Sequence, residues 1–383
     1  MIDPARFFDA LTACGVRFVV GVPDSLLKAF CRYVAEALPA ARQVVAVNEG
    51  TAIARAAGHH LATGEVPLVY MQNSGLGNAV NPLLSLADPE VYALPMVLLV
   101  GWRGEPGVPD EPQHVKQGRV TTALLDALEV PYRVIDADEP AALASAHWAV
   151  TEARSRSAPV ALLVRKGAFS SGTPTAGSAP TPALALTRER AIERIAAALP
   201  EAATLVATTG MIARELYEYR QRTGHSGASD FLMVGSMGHA SQLALGIAAA
   251  LPERTVVCLD GDGALLMHMG ALASIGVARA ENLLHVVLNN GAHDSVGGQP
   301  TAAFDVDLAG VARACGYRAV IADVRDEAAL ERELADLIVR AGPIFIEVRV
   351  AKGARADLGR PAETPGQSRR AFMARLGSSG DDA

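Results

Sequence analysis

The chain has 383 residues, of which 50% are hydrophobic, and its 34 basic and 41 acidic residues give a formal charge of −7. This length is too great for one ordinary core and predicts two domains. The acidic balance and the lack of basic blocks argue against nucleic acid as a partner, because a phosphate backbone attracts clustered Lys and Arg.

The pattern along the chain also argues against a membrane. No apolar run reaches the roughly 18–20 residues that span a bilayer, and the amino terminus lacks a charged leader before an apolar stretch. The four cysteines, Cys14, Cys31, Cys258 and Cys315, form no CxxC pair and are interpreted as reduced core residues. We therefore expect a cytoplasmic protein without a membrane partner.

Short apolar segments alternate with Ala- and Leu-rich helical segments along the chain. The strands predicted in the first half are RFVVGVP, QVVAVN, VPLVYMQ, MVLLVGW and PVALLVRK. Those predicted in the second half are TLVATTG, RTVVCLD, LLHVVLNN and PIFIEVRV. Apolar strands between helices are typical of parallel sheets covered on both faces. The predicted fold class is α/β, with two doubly wound parallel-sheet domains.

The two halves are joined by the uncharged segment SSGTPTAGSAPTPALALT, residues 170–187, whose Ser, Thr, Pro and Gly are typical of a linker. The predicted domains are 1–169 and 188–360, both of ordinary size. In the tail, 361–383, SRRAFMARL is typical of a short helix, and the last residues are expected to be disordered.

Polar residues follow two predicted strands of the second half. RTVVCLD continues into GDG, with Asp262 between the glycines, and LLHVVLNN ends in Asn290. One helical crossover separates them, so both are expected at the carboxyl edge of a parallel sheet, where such sheets bind ligands. Carboxylate and amide oxygens suit Mg²⁺, and glycines let backbone amides approach a diphosphate. Each motif alone is also a common turn, but the ordered pair predicts a magnesium-diphosphate site, with Asp260 supporting the turn.

This pair, GDG…NN, resembles the motif of thiamine-diphosphate-dependent enzymes. The resemblance implies that Asp262, Asn290 and the backbone carbonyl of Ala292 bind Mg²⁺. The segment VGSMGHAS is similar to one in which a bulky apolar residue, here Met237, keeps the cofactor bent, although core packing is the alternative for this residue. The resemblance implies further cofactor-binding residues, namely Thr209, Gly210, Gly235, Ser236, Gly263 and Ala264.

The first half contains a third motif, in which QVVAVNEGTAIARAAGHHLATG passes from a strand through Glu49 into an Ala-rich helix. It resembles the segment that carries the family's catalytic Glu. That Glu hydrogen-bonds to the pyrimidine ring nitrogen of the cofactor, so that the thiazolium carbon can lose its proton to the cofactor's own amino group. An apolar pocket that raises the pKa of this Glu suits the task. The alternative for Glu49 is a plain interaction with the helix dipole.

The resemblance implies a pyrimidine-binding domain at 1–169, a diphosphate- and Mg²⁺-binding domain at 188–360, and no middle domain. In the family the cofactor bridges the first domain of one subunit and the second domain of another. A homodimer or larger homo-oligomer is therefore expected, with the active site at the subunit interface.

Several segments resemble the phosphonopyruvate decarboxylase family, namely GVPDSLLKAFC, GWRGEPGVPDEPQHVKQG, NNGAHDSVGGQPT and KGARADLGRP. This resemblance implies conversion of 3-phosphonopyruvate to phosphonoacetaldehyde and CO2, in phosphonate and antibiotic biosynthesis. Sulfopyruvate decarboxylation remains an alternative, because both substrates are 2-oxo acids whose anionic tails present three oxygens to similar donors. A carboligase or a decarboxylase of another 2-oxo acid also remains open.

Asp24, after the first strand, and His114, in the DEPQH segment, resemble the acid-base pair of 2-oxo-acid decarboxylases. The alternatives are a turn Asp and a surface His. An anionic substrate tail needs hydrogen-bond donors. The candidate substrate-binding residues are Ser25, Arg103, Gln113, His114 and Lys116.

A nicotinamide-dependent oxidoreductase is a remote alternative, because NSGLGNAVNPLL follows a strand and opens a helix. Val80 stands where the dinucleotide fingerprint requires Gly or Ala, and no acidic residue ends the next strand. This alternative is therefore disfavoured.

Overall fold

The computed structural model describes residues 1–171, 184–337 and 341–377. Contacts between residues divide the chain into two compact units, Met1–Ser178 and Ala179–Ala383. Most of the predicted linker (residues 172–183) and the end of the tail (378–383) lie outside the described residues.

The first unit contains a six-stranded parallel sheet with the order β2-β1-β3-β4-β6-β5. Its strands are β1 (Val19–Gly21), β2 (Gln43–Val45), β3 (Leu68–Gln72), β4 (Met96–Gly101), β5 (Tyr132–Ile135) and β6 (Pro159–Val164). Its helices are α1 (Pro4–Ala13), α2 (Lys28–Ala37), α3 (Glu49–Thr63), α4 (Leu76–Pro82), α5 (Pro112–Ala127) and α6 (Glu139–Arg156). Shorter segments are the 3₁₀ turn Asn73–Gly75 and the π-helical turn Leu83–Ala87.

Continuous apolar sequence is typical of inner strands, and β4 and β6 lie side by side inside this sheet with every residue buried. Phe7, Phe30 and Leu162 belong to the core on one face of the sheet. All five strands predicted in this half are present. The sixth, β5, was not predicted because it is an edge strand whose Arg133 and Val134 are exposed.

The second unit has a six-stranded parallel sheet with the order β13-β14-β10-β9-β7-β8. Its strands, with those of a small hairpin (β11 and β12), are β7 (Thr204–Ala207), β8 (Asp230–Leu232), β9 (Val256–Gly261), β10 (Leu283–Asn289), β11 (Ala292–His293), β12 (Gln299–Pro300), β13 (Ala319–Val324) and β14 (Ile344–Arg349). Its helices are α7 (Arg188–Ala198), α8 (Met211–Thr223), α9 (Ala240–Ala250), α10 (Asp262–Met267), α11 (Ala271–Ala278), α12 (Leu308–Cys315), α13 (Glu327–Leu337) and α14 (Pro365–Leu376). The 3₁₀ turns are Gly227–Ser229 and Asp294–Val296.

Without the hairpin, the two sheets have the same strand order, since in each the first strand lies between the second and the third. Successive residues of β9 face opposite cores: Val257 and Leu259 contact one, Val256 and Cys258 the other. The confirmed fold class is therefore α/β with two doubly wound parallel sheets. The tail helix α14 begins with a capping box formed by Thr364 and Gln367.

Among the described residues, no helix combines the length and the apolar character needed to cross a bilayer.

Candidate active site

Glu49 lies at the carboxyl edge of the first sheet, where the chain leaves β2 and enters α3. The side chain of Asn48 caps this helix by accepting from Gly50 N–H at 2.8 Å. Glu49 is only 5% exposed, and Asn78 Nδ2 donates to its Oε2 at 2.7 Å. A Cβ on Gly75 would lie 2.3 Å from Glu49 Oε1, so only glycine at that position leaves room for the carboxyl group.

Asp24 follows β1 at the same edge and is 1% exposed. Its Oδ2 accepts from Leu26 N–H at 2.9 Å, and its Oδ1 has no hydrogen-bond partner among the described residues. Burial raises the pKa of Asp24 to about 6, although the Leu26 N–H and the Arg103 charge act in the opposite direction. Asp24 can therefore hold a proton close to neutral pH, as an acid-base residue must.

Arg103 and His114 share one carboxylate partner, Asp110, which the sequence analysis did not identify. Arg103 donates to it from Nε at 2.8 Å and from Nη2 at 2.5 Å, and His114 Nδ1 lies 3.0 Å from Asp110 Oδ1. Arg103 Nη1 also donates to Ser25 Oγ at 2.9 Å. The structure thus brings together four predicted residues, Asp24, Ser25, Arg103 and His114.

The surroundings in this cluster shift the pKa values of Asp110 and His114. Burial would raise the pKa of Asp110, but hydrogen bonds from Arg103, His114 and the Gly104 N–H outweigh it and hold that pKa well below its usual range. Burial lowers the pKa of His114, and the Arg103 charge adds to this effect while Asp110 opposes it. Near neutral pH, His114 is thus largely a neutral imidazole beside an ionised carboxylate.

Hydrogen bonds from Asn73 and close packing against α5 hold the loop that carries Arg103. Asn73 Nδ2 donates to the Arg103 carbonyl at 2.8 Å and to Thr121 Oγ1 at 2.9 Å. A Cβ on Gly104, whose φ is +69°, would lie 1.9 Å from the His114 carbonyl oxygen, so this position requires glycine on both counts. The loop therefore contacts α5 backbone to backbone.

The two remaining substrate candidates lie on α5. Gln113 has a buried Oε1 that lacks a hydrogen-bond partner within the described part of the chain, whereas Lys116 is exposed. Neither is bonded to the Asp110 cluster, so their predicted contact with substrate stays a prediction.

Asp262 begins α10 directly after β9, at the carboxyl edge of the second sheet, and is 3% exposed. Its Oδ2 accepts from Thr301 Oγ1 at 2.5 Å. Burial raises its pKa to about 6, although hydrogen bonds from Thr301 and from the Asn290 N–H lower it. A buried carboxylate without a nearby cation is costly, so this position fits a bound metal ion.

Asn290, at the end of the neighbouring strand β10, is oriented by both of its amide atoms. Its Oδ1 accepts from Ala292 N–H at 3.0 Å, and its Nδ2 donates to Asp294 Oδ2 at 2.6 Å. The carboxylate, the amide oxygen and the Ala292 carbonyl come from two adjacent strand ends. They form an all-oxygen set of the kind that Mg²⁺ prefers.

A buried ion network fixes Asp294. It was not predictable from the sequence, because isolated charged residues usually lie on the exposed surface. Arg188 donates to both oxygens of Glu215, at 2.8 and 2.9 Å, and to Asp294 Oδ2 at 3.0 Å. Arg188 is 4% exposed and Glu215 is 2% exposed. The chain Glu215, Arg188, Asp294, Asn290 thus connects the core of the second unit to a predicted metal ligand.

The predicted cofactor-binding residues lie on two loops and on the first turn of α10 at this edge. Thr209 and Gly210 follow β7, and Gly210 has φ +102° and lies opposite Ser295. Gly235, Ser236 and Met237 lie on the loop after β8. A Cβ on Gly263 would lie 3.4 Å from Met237 Cε and 2.8 Å from His293 Cε1, and Ala264 follows in α10. A side chain at Gly263 would therefore fill the space between His293 and Met237, and its absence fits close approach of a diphosphate.

Asp260 lies beneath the GDG turn. Its Oδ1 accepts from Gly261 N–H at 2.9 Å, and its Oδ2 lies 3.3 Å from His285 Nε2. Cys258 faces His285 across the β9–β10 pair, so a thiol, a carboxylate and an imidazole lie within 4.8 Å of one another in the core.

Comparison with known proteins agrees with this geometry. The N-terminal TPP binding domain of thiamine pyrophosphate enzymes matches residues 5–130, and the C-terminal TPP binding domain matches residues 206–348. The chain therefore belongs to the thiamine pyrophosphate enzymes, and it binds thiamine diphosphate. The remote alternative of a nicotinamide-dependent oxidoreductase is wrong, because its supposed fingerprint lies inside the first of these domains.

Full-length relatives specify the family further. The chain is 40% identical to the phosphonopyruvate decarboxylase of Streptomyces viridochromogenes, over 98% of this chain and 95% of that protein. It is 39% identical to the phosphonopyruvate decarboxylase of Streptomyces hygroscopicus, over 97% and 93%. It is 30% identical to the sulfopyruvate decarboxylase of Methanosarcina acetivorans, over 82% of each. The predicted resemblance to the phosphonopyruvate decarboxylase family is confirmed, and the chain is a carboxy-lyase.

Proposed function

We propose that this protein is a thiamine-diphosphate- and Mg²⁺-dependent decarboxylase that converts 3-phosphonopyruvate to phosphonoacetaldehyde and CO2 in phosphonate biosynthesis. The observation that carries the proposal is the cluster at the first sheet edge. There, the buried acid Asp24 and the imidazole of His114 lie with the guanidinium of Arg103. The names of the two Streptomyces relatives support the choice of substrate.

The chain's own residues would bind and protonate, while the bound cofactor supplies an electron sink for the bond to the leaving carboxylate. Glu49 would hydrogen-bond to the pyrimidine ring of the cofactor. The carboxylate leaves as CO2, and the carbon that keeps the bonding electrons takes one proton, which Asp24 would deliver or which His114 would pass on once its Nε2 has taken it up. The reaction therefore consumes one proton for each aldehyde formed.

The anionic tail of the substrate would lie against Arg103. A guanidinium has five N–H groups, and three of those on Arg103 donate to Asp110 and Ser25. The remaining two can bind tail oxygens. Ser25, Gln113 and Lys116 are the further donors that we propose for the tail.

In the second domain, 188–360, Asp262, Asn290 and the Ala292 carbonyl would bind Mg²⁺. Thr209, Gly210 and the residues around Met237 would hold the cofactor. The family resemblance supports a homodimer or larger homo-oligomer with its active sites at subunit interfaces. Light scattering of the purified protein tests this part of the proposal.

Sulfopyruvate decarboxylation is the second candidate. It is favoured by one observation, the 30% identity to the Methanosarcina acetivorans enzyme over 82% of both chains. A sulfonate carries one charge fewer than a fully ionised phosphonate, so a second cationic group near the tail would favour the phosphonate.

The test is CO2 release from phosphonopyruvate by protein stripped of cofactor and metal, before and after thiamine diphosphate and Mg²⁺ are restored. Restoration of turnover supports the proposal, and its absence contradicts it. Glu49→Gln should reduce kcat about 100-fold or more, since positioned acid-base groups contribute about 10²–10⁴-fold. Glu139→Gln is the matched control, because Glu139 also occupies the first position of a helix, α6. Full activity of Glu49→Gln would contradict the role of Glu49.

A further inference from the structure

Both carboxylate oxygens of Asp110 accept hydrogen bonds, and Arg103 and His114 are among the residues that contact them. Its Oδ2 accepts from Arg103 Nε and from Gly104 N–H, both at 2.8 Å. Its Oδ1 accepts from Arg103 Nη2 at 2.5 Å and from Glu111 N–H at 2.8 Å, and it lies 3.0 Å from His114 Nδ1. The side chain is 8% exposed. A carboxylate bonded in this way has a fixed position and a fixed charge.

We propose that Asp110 is a positioning residue, which aims His114 and Arg103 at the same substrate. The inference rests on the proposed function and deepens it, because it assigns one carboxylate to both the proton transfer and the binding of the anionic tail. Asp110 itself is not proposed to touch the substrate. Its two oxygens are already occupied by donors from the protein.

For His114, the contact selects the tautomer. An ionised Asp110 accepts a hydrogen bond from Nδ1–H and cannot donate one, so the neutral ring carries its hydrogen on Nδ1. Nε2 is then the atom that exchanges a proton with the substrate. The residues whose charges act on His114 are Asp110, which is on the loop before α5, and Arg103, which follows β4.

For Arg103, the contact selects a direction. The two bonds to Asp110 use the Nε and Nη2 side of the guanidinium, and the bond to Ser25 uses one hydrogen of Nη1. The two N–H groups left over are on Nη1 and Nη2. Each of them can donate to an oxygen of a tetrahedral anion.

Ser25 is the residue after Asp24, so the bond from Arg103 to Ser25 also ties the loop after β4 to the loop after β1. Asp110 thereby sets the distance between the tail anchor and the buried acid. If Asp110 only stabilised its own loop, its hydrogen bonds from the Gly104 and Glu111 N–H groups would be enough. The contacts with His114 and Arg103 would then not be needed.

Asp110→Asn tests the proposal, with Glu105→Gln as the matched control. Glu105 lies on the same loop but pairs with Arg165. Wild-type holoenzyme is first assayed with phosphonopyruvate, sulfopyruvate and pyruvate, and the variants are assayed with the 2-oxo acid that it turns over. If the wild-type enzyme turns over another 2-oxo acid but not phosphonopyruvate, the proposed substrate is contradicted. The role of Asp110 is then still tested by the variants with the acid that is turned over.

Asp110→Asn should lower kcat about tenfold or more, as loss of an orienting partner does. It should also raise KM about tenfold, because the tail loses a correctly aimed charged donor. In the His114→Gln background, Asp110→Asn should still raise KM but should change kcat little, because the group through which it acts on kcat is gone. Equal effects on kcat in both backgrounds would overturn the assignment to His114.

Calorimetric titration with phosphonoacetate, which carries the tail but no ketone, gives a measurement that does not depend on turnover. Binding should weaken about tenfold in Asp110→Asn and stay unchanged in Glu105→Gln. Unchanged binding in Asp110→Asn would overturn the assignment to Arg103. If Asp110→Asn does not fold, Asp110→Glu replaces it. Displacement of the charge by one methylene should lower kcat and weaken the binding of phosphonoacetate. A wild-type kcat together with a wild-type affinity for phosphonoacetate would overturn the proposal.

Discussion

Asp24→Asn is expected to stabilise the cofactor-free protein while it removes activity. Asp24 is 1% exposed, and burial raises its pKa from 3.8 to about 6. The substitution keeps the shape of the side chain. Its amide oxygen can retain the bond from Leu26 N–H, and its amide nitrogen takes the place of Oδ1, which has no partner among the described residues.

The magnitude follows from the two pKa values. The folded state holds this proton more tightly than the unfolded state, so the wild-type protein loses stability as the pH rises from 3.8 through about 6. One pKa unit corresponds to about 1.4 kcal/mol, so ionisation of Asp24 costs about 1.5 kcal/mol at pH 5 and at most about 3 kcal/mol at pH 7.5. The amide avoids this cost at both pH values.

Urea unfolding of cofactor-free wild type and Asp24→Asn at pH 5 and pH 7.5 measures the difference. The variant's gain in unfolding free energy should be about twice as large at the higher pH. Asp126→Asn, which changes an exposed residue of α5, should show no such increase. A variant that is less stable at both pH values, or a gain that does not change with pH, would refute this account of Asp24.

Two further predictions concern Glu49 and the proposed metal site. Gly75→Ala should reduce kcat about tenfold or more with little loss of stability, because a Cβ 2.3 Å from Glu49 Oε1 displaces that carboxyl group. Gly77→Ala is the control, since a Cβ there meets nothing within 4 Å. Equal kcat values for the two variants would contradict the steric argument. Asp294→Ala should weaken Mg²⁺ binding about 10–100-fold, because Asn290 Nδ2 loses the acceptor that orients it. Titration of the apoenzyme with Mg²⁺ in the presence of thiamine diphosphate measures this affinity, and an unchanged value would argue against the orienting role.

Inner strands such as β4 and β6 were predictable because a strand covered on both faces must be apolar along its whole length. The edge strands β5, β8 and β13 lack this signal. In β13 only Val324 is buried, and its remaining residues are partly or fully exposed. Their placement depends on pairing with a neighbouring strand, which local composition does not encode.

The candidate site divides in the same way. Asp262 and Asn290 were predictable because each follows an apolar strand and their order fits one crossover.

Asp110 lies on an irregular loop, and its role depends on how that loop folds onto α5. The spacing of four residues between Asp110 and His114, at the start of a helix, is the one local signal that could have indicated their contact. Arg188 and Glu215 are 27 positions apart and gave no such signal.

The central claim is that the substrate carries a phosphonate tail, and direct competition tests it. Holoenzyme is given equal concentrations of phosphonopyruvate, sulfopyruvate and pyruvate in one vessel, and NMR follows the three substrates and their aldehydes. The ratio of their rates equals the ratio of their kcat/KM values. Our account predicts that phosphonopyruvate is consumed first and that phosphonoacetaldehyde accumulates before either other aldehyde. Faster consumption of sulfopyruvate or pyruvate would contradict it.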